Sequence, residues 1–346
     1  MSSIPTAWRR LDLGLVAGFA TLAVLATLSA TTSVQLIAIF AGAVVVAGML
    51  TTVRRTTIVL AAALACSVAA GFWHDSIGSA DWLVRVGLCL LLGLLGVQGA
   101  ALRQRREGSL QRMTVIAETA QRAVLRSMPT AIGSVGLAAR YVSATAEALV
   151  GGDLYEVAAT PFGIRVIIGD VRGKGLEAVQ TAAAVLAAFR AAAFTEPDPG
   201  ALARSIDQTL KRLMEDEEFV TAIVGEFQGD RVTIANCGHH PPLLVVADDV
   251  TVLDDGEPTV PLGLGSQPDV FDHAWPVGAR ILFYTDGLVE ARDGRGEFFP
   301  LDDHAAELGD GSVEEALDHL VDHLLAWGGR RMDDDLALVL AESEPR

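Results

Sequence analysis

Four apolar stretches fill the beginning of this chain, at roughly 11–30, 33–50, 57–73 and 82–102, and each is near the length that an α-helix needs to cross a bilayer. Nothing else in the sequence restricts the fold as strongly, because so much unbroken apolar surface needs lipid or a large all-helical packing around it. The rest of the 346 residues has the opposite character. Residues 1–110 hold eight arginines against four acids (Asp12, Asp75, Asp81, Glu107), a balance of +4, so the net −17 of the chain leaves −21 for the remainder. Two regions with different physics are joined here.

Arginines mark the sides of the membrane. They occur before the first stretch (Arg9, Arg10), between the second and third (Arg54, Arg55) and after the fourth (Arg103, Arg105, Arg106), while the other two connections have none. Four crossings with this bias place both termini in the cytoplasm of a multi-pass plasma-membrane protein. Arg85, a turn inside the fourth stretch, is expected to snorkel to the outer interface beside Trp82. The first stretch is not expected to be a cleaved leader, since three more follow it. Transport is a poor reading, because the stretches have almost no ionisable residues besides Arg85. Of three cysteines, Cys66 and Cys89 fall inside apolar stretches and Cys237 stands alone, which leaves no disulfide framework or thiolate metal site.

From 103 to about 127 the sequence is polar, with Leu110, Met113, Ile116, Ala120 and Val124 at spacings of three or four. This predicts a linker helix, either a passive spacer or a signalling helix that pairs in a homodimer, ended before Pro129. The expected domains are a four-span region at 1–102, the linker at 103–130 and a catalytic domain at 131–346. Within the last, β-like runs occur at 137–142, 164–168, 219–227, 232–236, 243–246, 279–284 and 336–340. Helical stretches lie near 177–194, 201–214 and 312–327, and turn signals before Arg231 and Ala279 suggest hairpins. An acidic, turn-rich connection is expected at 248–258. The pattern is α+β, a layered antiparallel sheet core covered by helices, preceded by an all-α membrane region.

Four aspartates then stand out: Asp153 in GGDLYE, Asp170 in GDVRGKG, Asp286 in YTDGLVEA and Asp334 in MDDDLAL. Asp170 and Asp286 each end an apolar strand and are followed at once or soon by glycine, and Asp334 precedes one. Carboxylates gathered at strand ends are what a hard divalent cation needs. A P-loop is excluded, since GDVRGKG has the wrong spacing and Gly175 where a Ser or Thr would bind magnesium. One acid beside a strand means little in so acidic a chain, as Asp333 and Asp335 illustrate.

Taken in order, ARY (139–141), GGDLYE, GDVRGKGLEA, FVTAIV (219–224), NCGHHPPLL (236–244), PLGLG (261–265), LFYTDGLVEARD (282–293) and DDLALVL (334–340) resemble the metal-dependent protein phosphatases (PPM, protein phosphatase 2C), in their SpoIIE-like bacterial branch. The resemblance covers 137–341. It implies an αββα sandwich with two divalent cations, Mn²⁺ or Mg²⁺, bridged by Asp170 and the Val171 carbonyl and completed by Asp153, Asp286 and Asp334. It implies hydrolysis of phosphoserine or phosphothreonine by water activated between the ions, on a cytoplasmic phosphoprotein such as an anti-sigma-factor antagonist. Expected partners are therefore that phosphoprotein, the lipid bilayer and a second copy of the chain, with no nucleic acid. Many relatives have an aspartate where this chain has Glu156, so Glu156 is a lesser ligand candidate. His239 and His240 are expected to shape a turn more than to move protons, and Arg172 and Lys174 are candidate phosphate attractors. The competing reading is a catalytically silent receptor that uses the same fold to bind partners.

Overall fold

The computed structural model describes residues 13–31, 37–143, 151–213, 218–247, 249–254, 259–329, 332 and 334–345. These fall into two compact units, 1–112 and 113–346. In the first, α1 (Leu13–Thr31), α2 (Ala41–Leu50), α3 (Val53–Trp73) and the start of α4 (Ala80–Val124) make a helical bundle. Small residues let these helices approach: a Cβ on Gly48 would stand 2.7 Å from the Gly96 carbonyl oxygen. Val44, Ala47, Val59 and Ala63 are sealed between them, while Val16, Val24, Leu83 and Leu91 face outward. Three helical segments, Leu13–Thr31, Val53–Phe72 and Ala80–Ser109, are long and apolar enough to cross a membrane. The second apolar stretch shows a ten-residue α-helix after a 3₁₀ turn at Ile37–Phe40. Ten residues reach only about 15 Å, and the rest of that stretch, 32–36, lies outside the described residues. Arg85 takes Asp81, one turn earlier, as its partner at 2.7 Å.

The fourth apolar stretch and the linker are one helix of 45 residues. Ala, Leu, Arg, Gln and Glu, all good helix formers, dominate 100–112, and the helix runs on through Gly108 and Ser109. Of the expected stripe, Ala120 and Val124 pack within the second unit, whereas Met113 and Ile116 are exposed.

The second unit is an αββα sandwich. One sheet has the order β1 (Ala131–Ile132), β2 (Val135–Val142), β11 (Leu336–Ser343), β10 (Arg280–Tyr284), β7 (Leu243–Val246), β8 (Asp249–Val252). The other runs β3 (Leu154–Thr160), β4 (Gly163–Val171), β5 (Val220–Gln228), β6 (Arg231–Cys237), β9 (Val270–Ala274). All pairings are antiparallel. Between the sheets, Val166, Ile168, Ile223, Phe283 and Val339 form a dry layer with Trp275. Outside the second sheet, α5 (Leu176–Ala192) and α6 (Pro199–Leu210) cover Ile167, Val224 and Leu154. Outside the first, α7 (Leu301–His304) and α8 (Val313–Trp327) cover Leu282, Leu338 and Leu340. Strands such as β4 and β11 are buried on both faces, which is why they read as continuous apolar runs rather than alternating ones.

Local signals set the helix starts. Asp198 caps α6 by accepting from the Ala201 N–H, with Pro199 in the first turn. Ser312 and Glu315 make a reciprocal capping box on α8. Four strands escaped the sequence reading: the two-residue β1 at the edge of the first sheet, and three longer ones. β3 is short, alanine-containing and follows a glycine pair; β9 is exposed along most of its length; and the expected connection at 248–258 contains β8, which pairs with β7.

Candidate metal centre

The register of the strands brings the aspartates to one end of the sandwich. Leu154 pairs with Gly169, so Asp153, just before β3, lies beside Asp170, at the tip of β4. In the other sheet Tyr284 pairs with Leu338, so Asp286, just past β10, lies at the same end as Asp334, just before β11. The carboxylates of Asp153, Asp170 and Asp286 offer oxygens within 4.8 Å of one another. Asp334 stands apart: its Oδ1 is 2.8 Å from the Lys174 ammonium and also accepts the Asp335 N–H at 2.9 Å. Val171 is buried beneath the Asp153 loop, and a Cβ on Gly152 would stand 2.7 Å from the Val171 carbonyl oxygen. At the other loop, a Cβ on Gly287 would lie 2.0 Å from the Asp335 carbonyl oxygen, so only glycine permits this approach.

The electrostatics are those of an acidic cluster short of positive charge. Burial, then the neighbouring Asp170, pushes the Asp153 carboxyl well above the usual carboxylate range. Burial and Asp286 push Asp170 up to about 7, and burial and Asp334 raise Asp286. Three buried or half-buried acids that resist ionisation together fit a divalent cation on oxygen donors: the ion supplies the charge the protein lacks. Lys174 does not fill that need. Partial burial is the strongest single influence and opposes its charge, but the hydrogen bond to Asp334 and the charges of Asp334, Asp335 and Asp170 together hold it above the usual lysine range.

Residues that carried no sequence signal hold the cluster in place. Thr285, fully buried, donates to Asp153 Oδ2 at 2.6 Å and receives the Ala337 N–H at 2.8 Å, tying the first sheet to the carboxylate of the second. His239 accepts the Thr221 hydroxyl at Nδ1 and donates from Nε2 to the Tyr284 carbonyl, each at 3.0 Å. That pairing fixes its tautomer, and burial followed by the nearby His240 drives its pKa down to about 3. His239 thus links the strand beside Asp170 to the strand that ends before Asp286, as a positioning group. Asp335, which looked uninformative in sequence, is 2 % exposed and accepts the Tyr141 phenol at 2.8 Å, the Ser143 hydroxyl and the Gly151 N–H. Gln121, on the last turns of α4, donates to Tyr141 Oη at 2.6 Å and to the Gly151 carbonyl at 3.1 Å.

Glu156 is not part of the cluster. It lies on the face of β3 that carries Leu154, toward α5, and is gripped by Arg190 with two Nε contacts of 2.9 Å. The lesser ligand candidate is a structural ion pair. Over Asp170 and Asp286 opens a cleft of about 480 Å³ walled by Arg172, Phe219, His240 and Pro241. The Arg172 guanidinium lies 5.4 Å from the centroid of the Phe219 ring, and His240 stacks near Tyr284.

Residues 160–344 match the family profile described as Stage II sporulation protein E (SpoIIE). The chain is 24% identical to the phosphoserine phosphatase RsbU of Bacillus subtilis over 215 residues, 60% of this chain and 62% of that one. The RsbU and RsbW domains of a Mycobacterium tuberculosis protein superpose with a TM-score of 0.52 at 27% identity over 61% of each chain. The SiaA PP2C domain of Pseudomonas aeruginosa gives 0.58 at 20% identity, covering 71% of this chain and all of the other. The chain therefore spans about three-fifths of the length of the curated relative it matches. The sandwich itself is the PP2C fold.

Proposed function

The chain belongs to the SpoIIE family, and on that premise we propose that it is a membrane-anchored, metal-dependent protein phosphatase that hydrolyses phosphoserine or phosphothreonine on a cytoplasmic regulatory protein. The convergence of Asp153, Asp170 and Asp286 at one end of the sandwich, beneath a cleft, is the observation that carries this reading.

In this proposal Asp153, Asp170, Asp286 and Asp334, with the Val171 carbonyl, hold two divalent cations, Mn²⁺ or Mg²⁺. When bound, such ions supply charge neutralisation at phosphorus and a water of lowered pKa. The chain's own groups do the rest. Thr285 keeps Asp153 oriented, and His239, neutral across the physiological range, ties the strand beside Asp170 to the strand that ends before Asp286. Arg172, laid against Phe219 at the cleft wall, is positioned to receive phosphoryl oxygens. Lys174 holds Oδ1 of Asp334 and competes with a cation for that oxygen.

The RsbU relative supports a phosphoserine substrate, and an anti-sigma-factor antagonist is the partner proposed for it. The three long apolar helices support the membrane anchor, and the arginine distribution supports cytoplasmic termini if the second stretch also crosses. Exposed Met113 and Ile116 support pairing of α4 with a second copy.

The test is release of phosphate from a phosphoserine protein by the detergent-solubilised full chain, with and without Mn²⁺. Asp170→Asn and Asp286→Asn are each expected to reduce turnover by more than about 100-fold, beyond what loss of an outer-shell partner costs. A folded wild-type chain that binds Mn²⁺ at these residues yet turns nothing over would leave the silent receptor in its place.

A further inference from the structure

A second cluster of donors lies outside the carboxylate centre, on the outer helices of the first sheet. His304 ends α7, Glu307 sits in the 3₁₀ turn Ala305–Gly309 that follows, and His323 comes from the middle of α8. Their ligand atoms all fall within 4.8 Å of one another. The edges are 3.0 Å between the two Nδ1 atoms, 3.5 Å from His304 Nδ1 to Glu307 Oε1 and 3.4 Å from His323 Nδ1 to Glu307 Oε2.

Those lengths can be compared with a coordination shell. Bonds of about 2.0–2.1 Å in a tetrahedron put neighbouring donors about 3.3–3.4 Å apart. The separations are near those edges, the two to Glu307 ending on its two different oxygens, and the side chains are reachable from solvent.

Hydrogen bonding within the cluster is incomplete and leaves water to serve the half-exposed Glu307. Two neutral imidazoles whose Nδ1 atoms face each other can share one proton, and that leaves the Glu307 carboxylate with no proton from either ring atom it approaches. A cation would satisfy all three donors. Two nitrogens and a carboxylate suit a borderline transition ion such as Zn²⁺ rather than Mg²⁺.

The donors are also held in advance. His304 stacks on the buried Phe299 ring at 5.2 Å and 11°. Ala305 and Leu308 are buried on either side of Glu307, and Arg280 fixes the end of the turn through the carbonyls of Leu308 (2.7 Å) and Asp310 (3.1 Å). Little motion of the backbone is left to order when an ion arrives.

We infer that His304, Glu307 and His323 form a binding site for a divalent transition cation of the Zn²⁺ class, with solvent completing the shell, which clips the α7 turn to α8. The site is independent of the proposed phosphatase activity and uses none of its residues.

The experiment is a Zn²⁺ titration of the full chain in detergent, stripped with chelator and then held in excess Mg²⁺ to keep the oxygen site supplied. Uptake of one equivalent that Mg²⁺ does not displace, together with a rise in melting temperature, is expected. It is expected to vanish in His323→Gln and His304→Gln and to persist in Asp170→Asn. Co²⁺ in place of Zn²⁺ should give visible bands that the same two histidine variants remove. Melting in chelator checks that the variants fold, and Glu307→Gln, which keeps the shape of the side chain, serves if one does not. Equal uptake by wild type and the histidine variants, or no Mg²⁺-resistant uptake at all, overturns the site and leaves a hydrogen-bonded cluster only.

Discussion

Lys174 lies 2.8 Å from Asp334, the one proposed aspartate ligand that stands outside the carboxylate cluster. The pair is partly solvated, so its coupling is worth no more than about 1 kcal/mol. Lys174→Met should therefore strengthen Mn²⁺ binding by up to about fivefold, read by calorimetric titration. Weaker binding in the variant would show that the ammonium helps the site rather than competing for it.

Thr285→Val keeps the shape of the side chain but removes the hydroxyl that faces Asp153 and the Ala337 N–H. Leaving these buried partners unsatisfied costs about 1–3 kcal/mol. For a unit of this size that is a fall of several degrees in melting temperature, about 2–4 °C per kcal/mol. Metal affinity should drop with it. An unchanged melting curve would mean that Asp153 is held by other contacts.

Acidity should act in opposite directions with and without metal. The Asp170 carboxyl is pushed up to about 7 from its ordinary 3.8, so between these values the metal-free folded chain holds more protons than the unfolded one. Its stability is then greatest at the acid end of the window and declines as the pH rises toward about 7, changing little beyond. Metal needs the ionised carboxylate, so apparent Mn²⁺ affinity should increase over the same interval. Thermal melts in chelator and in Mn²⁺ across this range test both, and a chelated sample that gains stability with rising pH would contradict the assignment.

The polar chain Gln121–Tyr141–Asp335 runs from the last turns of α4 to the loop that ends in Asp334. Tyr141→Phe removes the middle of it, at a cost of about 1–2 kcal/mol. With Gln121→Ala it should show non-additivity of at least about 0.5 kcal/mol in a double-mutant cycle read from denaturant melts. Strict additivity would mean that the helix end and the loop are stabilised separately.

The apolar runs that became β2, β4, β5, β6, β7, β10 and β11 were legible because buried strands need branched and aromatic residues, and turn residues bound them. The candidate cluster was legible for a related reason: Asp170 and Asp286 interrupt apolar strands at their ends, where an acid has no packing role. What stayed hidden depends on three-dimensional pairing. Nothing local separates Asp335, a buried acceptor hub, from the acids beside it. Glu156 looked like a variant ligand until the pleat of β3 turned it toward Arg190. The fourth apolar stretch and the linker read as separate segments because hydropathy and charge change near residue 102, whereas one helix runs through both.

Gly151 and Asp335 are 184 positions apart and meet through the Gly151 N–H. The cluster beside them draws on strands from both sheets, and β11, next to its last proposed ligand, pairs with β2 and β10 in the middle of the first sheet. A chain that stops short of Asp335 therefore lacks both the acceptor of the Gly151 N–H and a central strand of the first sheet, and the loop around Asp153 keeps its ties to Thr285 and Gln121.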